Sequence, residues 1–189
     1  MALEIEGKKL EIVSYALDRF YESGFHATGM EAALAGSGIS KRTLYKYFPS
    51  KEDLIEAALR LYSEAIVRDL FDPVANVSDP RKQIIAVFDV PKNTGRVRTR
   101  GCFGMKAAQE YAGKHEGIVK LGIEASTRAE MKFLELCEEA RFARPQYLAK
   151  QLNVILQGAL VLSHTTGDAA PFLLAKDVAS SLIENVRIE

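Results

Sequence analysis

The sequence predicts an all-α fold: a small N-terminal three-helix head, a connecting helix and a larger helical body, about nine helices in all. Three observations carry that expectation. Apolar residues recur at helical spacing almost throughout the 189 residues, and strand-like alternation is nearly absent. Between residues 24 and 53 a stop, a cap, a glycine turn, a second cap and a second stop follow one another at the intervals of short helices. Asp72-Pro73 and Ser78-Asp79-Pro80 then mark a junction before the longer helical stretches.

The elements follow in order. Leu10, Val13, Leu17 and Phe20 form one stripe, which predicts a first amphipathic helix over 5–23. Gly24 followed by Phe25 suits a stop in which glycine takes the left-handed turn and the next apolar residue folds back. Thr28 with Glu31 has capping-box spacing and opens a second helix, which Gly36-Ser37-Gly38 ends. Ser40 caps a third helix, Pro49-Ser50 breaks it, and Ser50 with Asp53 starts a fourth that runs towards Phe71. Pro80 is well placed at the first position of a fifth. Residues 91–101, with Pro91, Gly95 and Gly101, read as a loop or broken helix, and helical stretches follow at 103–113, 116–141, 145–166 and 170–187. The head is placed at 1–47, the body at 48–189, and the helix over 50–71 connects them.

Composition is that of an ordinary soluble protein, with 48% apolar and 26% charged residues. No apolar run is long enough to span a bilayer, and Glu4 and Glu6 do not suit a signal peptide. Two cysteines, Cys102 and Cys137, make no disulfide framework, so a reducing cytoplasm is the expected compartment. The formal net charge of zero conceals a local patch: residues 36–51 hold Lys41, Arg42, Lys46 and Lys51 and no acid. Screening over about 8 Å makes that local charge the one that matters to a polyanion.

The third helix carries the chemistry. Stepping about 100° per residue from Ser40 puts Leu44, Tyr47 and Phe48 on the side facing the head. Lys41, Arg42, Tyr45 and Lys46 fall in an arc of about 140° on the other, an exposed basic face of a size the major groove admits. The set expected to touch duplex DNA is Thr28, Ser40, Lys41, Arg42, Thr43, Tyr45, Lys46, Tyr47 and Lys51. Arg42 suits a bidentate contact to guanine, Thr43 offers a methyl or hydroxyl, and the hydroxyls of Tyr45 and Tyr47 reach phosphates. Lys51 and Thr28 lie at helix starts, where backbone N–H groups favour an anion.

Phe25-His26-Ala27-Thr28-Gly29-Met30, followed by Gly38-Ile39-Ser40-Lys41-Arg42-Thr43-Leu44-Tyr45-Lys46-Tyr47-Phe48-Pro49-Ser50-Lys51-Glu52-Asp53-Leu54, resembles the N-terminal domain of TetR/AcrR-family transcriptional regulators. The resemblance covers about a quarter of the chain. Ala33 stands where that family has a larger aliphatic and Leu34 where it has alanine, so a second helix rotated or packed differently is expected. The resemblance implies a homodimer, a small-molecule effector bound in the body whose binding releases the DNA, and repression by steric block of an operator.

The body supplies a candidate seam. Residues 145–166 carry Leu148, Leu152, Ile155, Leu156, Ala159, Leu160 and Leu162, and 170–187 carry Phe172, Leu173, Leu174, Val178, Leu182, Ile183 and Val186. Both apolar faces are broader than a one-sided surface helix needs. They read as a four-helix homodimer interface or as plain core helices. Paired heads about one helical turn apart would read a palindromic operator. Phe88, Cys102, Phe103, Met105, Tyr111 and Phe133, with Phe142, are candidates to line an effector pocket, and each also reads as core. Arg96, Arg98 and Arg100 suit either an anionic ligand or a solvated loop. Cys102, after Arg100 at a possible helix start, raises a redox alternative beside a packing cysteine.

An enzyme is not expected. His26, His115 and His164 are scattered, and no metal-binding spacing, paired cysteine motif or Gly-rich phosphate loop occurs, so no metal or cofactor is expected. The rival reading is a helical homodimer that binds small molecules or senses redox state without sequence-specific DNA binding. It predicts no salt-dependent affinity for duplex DNA.

Overall fold

The computed structural model describes residues 7–89 and 101–186, and every regular element among the described residues is a helix, with no strand. Eight α-helices occur among them: α1 (Gly7–Ser23), α2 (Lys41–Tyr47), α3 (Lys51–Phe71), α4 (Pro80–Val87), α5 (Phe103–Glu110), α6 (Glu116–Glu139), α7 (Pro145–Thr166) and α8 (Ala170–Glu184). The basic segment with Arg96, Arg98 and Arg100 lies outside the described residues.

The ninth expected helix, the second of the head, is instead a 3-10 turn at Ala32–Leu34. One α-type bond, Ala33 N–H to the Gly29 carbonyl at 2.9 Å, precedes i→i+3 bonds from Leu34 and Ala35. The capping box that Thr28 and Glu31 were expected to make is not formed: the Thr28 hydroxyl has no hydrogen-bond partner, and the Glu31 carboxylate pairs with Lys41. With Thr28 buried and Glu31 drawn to Lys41, no cap starts a full helix there, and the segment closes as the tighter turn.

The chain divides into two compact units. The first contains the residues up to Ser63 together with Phe103–Ile123, so α5 and the start of α6 are grouped with the head. In α1 the buried stripe is Ile12, Val13, Ala16, Phe20 and Tyr21, while Leu10 is 39% exposed. The stripe read from Leu10 and Leu17 is therefore rotated towards Ile12 and Ala16, the positions that meet the rest of the unit. Gly24 ends α1 at φ 82°, its N–H bonded to the Phe20 carbonyl at 3.0 Å, and Phe25 folds back to stack on Phe20 at 5.5 Å between ring centroids. Phe103, the first residue of α5, is fully buried among Phe25, Tyr21 and Tyr62 at 4.9, 5.1 and 5.4 Å. That aromatic cluster is the centre of the unit's core.

The second unit contains Glu64–Cys102 and Glu124–Glu189. Its largest feature is the α7–α8 hairpin, turned at Gly167 with φ 69°. The Ser163 hydroxyl donates to the Asp168 carbonyl, and the Asp168 carboxylate accepts from the Ala170 N–H at 3.1 Å, which closes the turn. Asp79 caps α4 by accepting from the Arg81 N–H at 2.9 Å, with Pro80 at the first helical position as its sequence implied. Phe133 packs against Phe71 at 5.2 Å and Phe88 at 6.1 Å, and Lys176 of α8 is paired with Asp89 at 2.5 Å.

Candidate nucleic-acid interface

Two left-handed glycines build the turn before α2. Gly36 has φ 85° and Gly38 φ 73°, conformations that a Cβ would strain. Between them the Ser37 hydroxyl donates to the Leu34 carbonyl at 2.7 Å and accepts from the Ile39 N–H at 3.1 Å. Ser40 then caps α2: its extended backbone (φ −70°, ψ 149°) lets its hydroxyl oxygen accept from the Thr43 N–H at 3.1 Å. The Thr43 hydroxyl lies 2.8 Å from the same oxygen, so the side chains of Ser40 and Thr43 are engaged in the cap.

The two faces of α2 separate as the helical wheel requires. Leu44 and Phe48 are 1% and 2% exposed, whereas Lys41, Arg42, Tyr45 and Lys46 are all exposed. Tyr47 is half-buried at the border, and the Lys46 ammonium lies 5.4 Å from its ring centroid. A reciprocal capping box starts α3: the Asp53 N–H donates to the Ser50 hydroxyl at 3.1 Å, while the Ser50 N–H and hydroxyl donate to the Asp53 carboxylate at 3.1 and 2.6 Å. Lys51, half-buried, is the first residue of that helix.

Thr28 is placed differently from Lys51. It is 4% exposed, with an unpartnered hydroxyl, and so sits in the packing of the head rather than on its surface. Lys41 carries a feature that helical periodicity does not reveal, an ion pair with Glu31 of the preceding turn. The hydrogen bond that the ammonium donates to Glu31, and then the charge of Glu31, raise the Lys41 ammonium above its ordinary pKa. A second contact absent from the sequence reading holds the head's first turn. The Glu110 carboxylate of α5 accepts from the Phe25 and His26 N–H groups at 3.3 and 3.0 Å, and His26 stacks on Tyr111 at 5.0 Å. These partners are 84 and 85 residues apart, beyond the reach of any local pattern.

A capped two-turn helix with a cationic outward face, set behind a glycine turn and ahead of a second capped helix, is the arrangement of a helix-turn-helix head. Residues 12–58 match the model of the bacterial regulatory proteins of the tetR family. That segment carries the N-terminal domain of the tetR family. Over 56 residues the chain is 48% identical to the HTH-type transcriptional regulator RutR of Escherichia coli (strain K12), a match covering 30% of this chain and 26% of RutR. The stretch aligned with that relative thus spans about a quarter of the relative's length. The HTH-type transcriptional regulator YxaF of Bacillus subtilis (strain 168) is 24% identical over 183 residues, covering 94% of this chain and 96% of YxaF. The fold is that of a TetR transcriptional regulator from Chloroflexus aurantiacus, with a TM-score of 0.81 at 23% identity over 96% of this chain and 97% of that one.

The residues that were candidates for an effector pocket fall in both units. Phe103, Met105 and Tyr111 belong to the head's unit, and Phe88, Cys102 and Phe133 to the other. Phe88, Phe103 and Phe133 are at most 1% exposed, Cys102 and Tyr111 are 4% and 5% exposed, and Met105 is half-buried. Phe142 lies beneath the Arg81 guanidinium at 5.4 Å. Burial raises the Tyr111 hydroxyl above its ordinary pKa, with smaller contributions from Glu52 and Glu110. Burial also pushes the Cys137 thiol up to about 12.

The α7–α8 hairpin resolves each broad apolar face into two. Leu148, Leu152, Leu156, Leu160, Phe172 and Ile183 are buried, while Val154, Leu162 and Leu174 are 71%, 52% and 64% exposed. Ile155, Gly158, Leu162, Leu174 and Val178 line an open groove of about 520 Å³ between the two helices. Among the described residues no group of three histidine, cysteine or acidic side chains is placed to hold a metal ion, and no helix is long and apolar enough to cross a membrane.

Proposed function

We propose that this chain is a DNA-binding transcriptional regulator of the cytoplasm, working as a homodimer on a palindromic operator. The observation that carries the reading is the outward face of α2, with Lys41, Arg42, Tyr45 and Lys46 exposed opposite the buried Leu44 and Phe48. Such a helix enters the major groove, where Arg42 reads a base edge. Lys46, Tyr45, Tyr47 and Lys51 hold the phosphates on either side. The Ser40–Thr43 cap fixes the start of the helix, so these two residues act first by positioning it.

Two copies joined through the exposed face of α7 and α8 carry two heads to successive major grooves. Contiguous exposed apolar surface of this kind is costly on an isolated protein and marks an interaction site. The body takes a small-molecule effector whose binding releases the DNA, and repression by occupying the operator is the simplest outcome. Induction requires an effector with about 5.5 kcal/mol of preference for the DNA-incompetent geometry if the switch is to be near complete. α3 carries Lys51 at its start and passes from one unit into the other between Ser63 and Glu64, which makes it the lever that changes head spacing.

Selection of bound sequences from random duplex DNA tests the reading. A palindromic consensus, with affinity falling steeply as salt rises, supports regulator, homodimer and half-site spacing together. A salt-independent or undetectable interaction with duplex DNA refutes it. Structures with and without the effector that show the same head separation remove α3 as the lever.

A further inference from the structure

Lys41 opens the reading helix, and among the described residues it is the one cation of 36–51 paired with a carboxylate. Its ammonium is paired with Glu31 from the 3-10 turn that precedes α2. No ion pair joins Arg42, Lys46 or Lys51 to an acid among the described residues. Both members of the pair are open to solvent, Lys41 at 66% and Glu31 at 55% of their side-chain surface, so they lie where phosphates approach. A carboxylate oxygen and a phosphate oxygen compete for the same ammonium protons.

We propose that Glu31 is an affinity-limiting residue of the DNA-binding face, occupying Lys41 so that non-cognate duplex gains no phosphate contact from it. The inference rests on the DNA-binding reading given above. For a phosphate to use Lys41, the ammonium must leave Glu31, and the released carboxylate then faces the same polyanion. A loosely placed phosphate of a non-cognate duplex gains little by displacing it. An operator held in register by Arg42 and the other cations offers a phosphate at fixed distance and can. Glu31 therefore lowers the background against which the operator is recognised, and specificity is a ratio of the two affinities. An exposed pair has a modest effect, roughly two- to five-fold in affinity.

The test is a four-protein cycle on the full chain: wild type, Glu31→Gln, Lys41→Gln and the double variant. Each is titrated with a random-sequence duplex across a salt series, and thermal unfolding confirms that each is folded. The glutamine at position 31 removes the charge and keeps the size and hydrogen-bonding reach. Glu31→Gln should tighten random-duplex binding about two- to five-fold and steepen the slope of log affinity against log salt by about 0.9, one more phosphate neutralised. Lys41→Gln should leave the wild-type slope nearly unchanged and flatten the Glu31→Gln slope by that same amount. Equal slope changes from Lys41→Gln in both backgrounds mean that Lys41 meets phosphates despite Glu31, and they overturn the inference. So does weaker binding by Glu31→Gln, which would make Glu31 a positioning residue for Lys41. A gain from Glu31→Gln that persists in full without Lys41 also overturns it, by assigning the effect to direct repulsion. Failure of all four proteins to bind duplex DNA refutes the regulator reading, and the inference with it. Binding by all four with additive effects refutes the inference alone.

Discussion

Gly104 of α5 and Gly122 of α6 meet backbone to backbone. A Cβ built on Gly122 would lie 2.5 Å from the Gly104 carbonyl oxygen, and one built on Gly104 would come closer still to that of Gly122. Neither carbonyl can yield as a flexible side chain would, so the two glycines set how closely the helices approach. With Phe103 adjacent and fully buried, that approach also seats the centre of the head unit's core.

Gly104→Ala should accordingly cost about 1–3 kcal/mol of stability, the range for overpacking a close contact. Gly29→Ala is the control, because an added Cβ there meets nothing within 4 Å. Urea denaturation should show a clear loss for the first and a change within about 0.5 kcal/mol for the second. Equal midpoints would show that α5 and α6 separate freely.

Arg42 and Lys51 should fail in different ways. On the proposed reading Arg42→Ala removes a base-edge contact, so it should relax preference at one operator position at a cost of about 1–3 kcal/mol. On the same reading Lys51→Ala removes a phosphate contact at a helix start, so it should weaken binding to all sequences alike and flatten the salt slope by about one. Binding selections and salt titrations on both variants distinguish the two. Uniform loss from both would refute the division of roles.

Ser40→Ala removes the oxygen that accepts from the Thr43 N–H and should cost about 1 kcal/mol of head stability. Because α2 has only seven residues, loss of its cap should also loosen the outward face, and operator affinity should fall although no direct contact need be lost. Ser40→Asp, which retains a capping oxygen, should recover the stability but not the affinity, since in the proposed complex its charge would face the phosphates. Denaturation midpoints beside operator titrations read the two effects separately.

How far these features were legible in the sequence depends on the range of the interaction that makes them. Ser40 with Thr43, Ser50 with Asp53, Gly24 with Phe25 and Asp79 with Pro80 are local, and each gave a stop or start that the structure contains. The second helix of the head was read from the same kind of signal, and there Thr28 and Glu31 turned to other surroundings. A capping pair commits only when nothing non-local offers more: burial took Thr28, and Lys41 took Glu31. The rotation of the α1 stripe has a similar origin, because hydrophobic spacing gives the period of a helix and its neighbours choose the phase. Glu110 on the amides of Phe25 and His26, and Gly104 on Gly122, leave no trace in the sequence pattern at all.

The exposed apolar face of α7 and α8 predicts its own behaviour when charged. Val154→Lys and Leu174→Glu alter side chains that are 71% and 64% exposed, so an isolated subunit should tolerate them within about 0.5 kcal/mol. In a homodimer joined through this face the same changes bury unpaired charge, and light scattering should show monomers at concentrations where the wild type is dimeric. Operator affinity should fall with them, since a single head loses the second half-site. Unchanged mass for both variants would place the subunit contact elsewhere.

Cys137 should be chemically silent in the folded protein and make its presence felt only at high pH. Its thiol is fully buried, and burial first, then the neighbouring Glu138 carboxylate, pushes its pKa from 9.0 to about 12. The thiolate is the reactive form, so alkylation near neutral pH should be limited by unfolding. The folded state retains the proton between pH 9 and 12 while the unfolded chain loses it, so the unfolded chain binds fewer protons there and stability falls as pH rises. Below pH 9 both states hold the proton and the group contributes no slope. Cys137→Ala should therefore shift stability by a constant amount up to pH 9 and lose less than the wild type above it, with lysines and tyrosines supplying the slope common to both. Parallel stability curves for the two proteins through that window would show that the Cys137 thiol titrates normally in the fold.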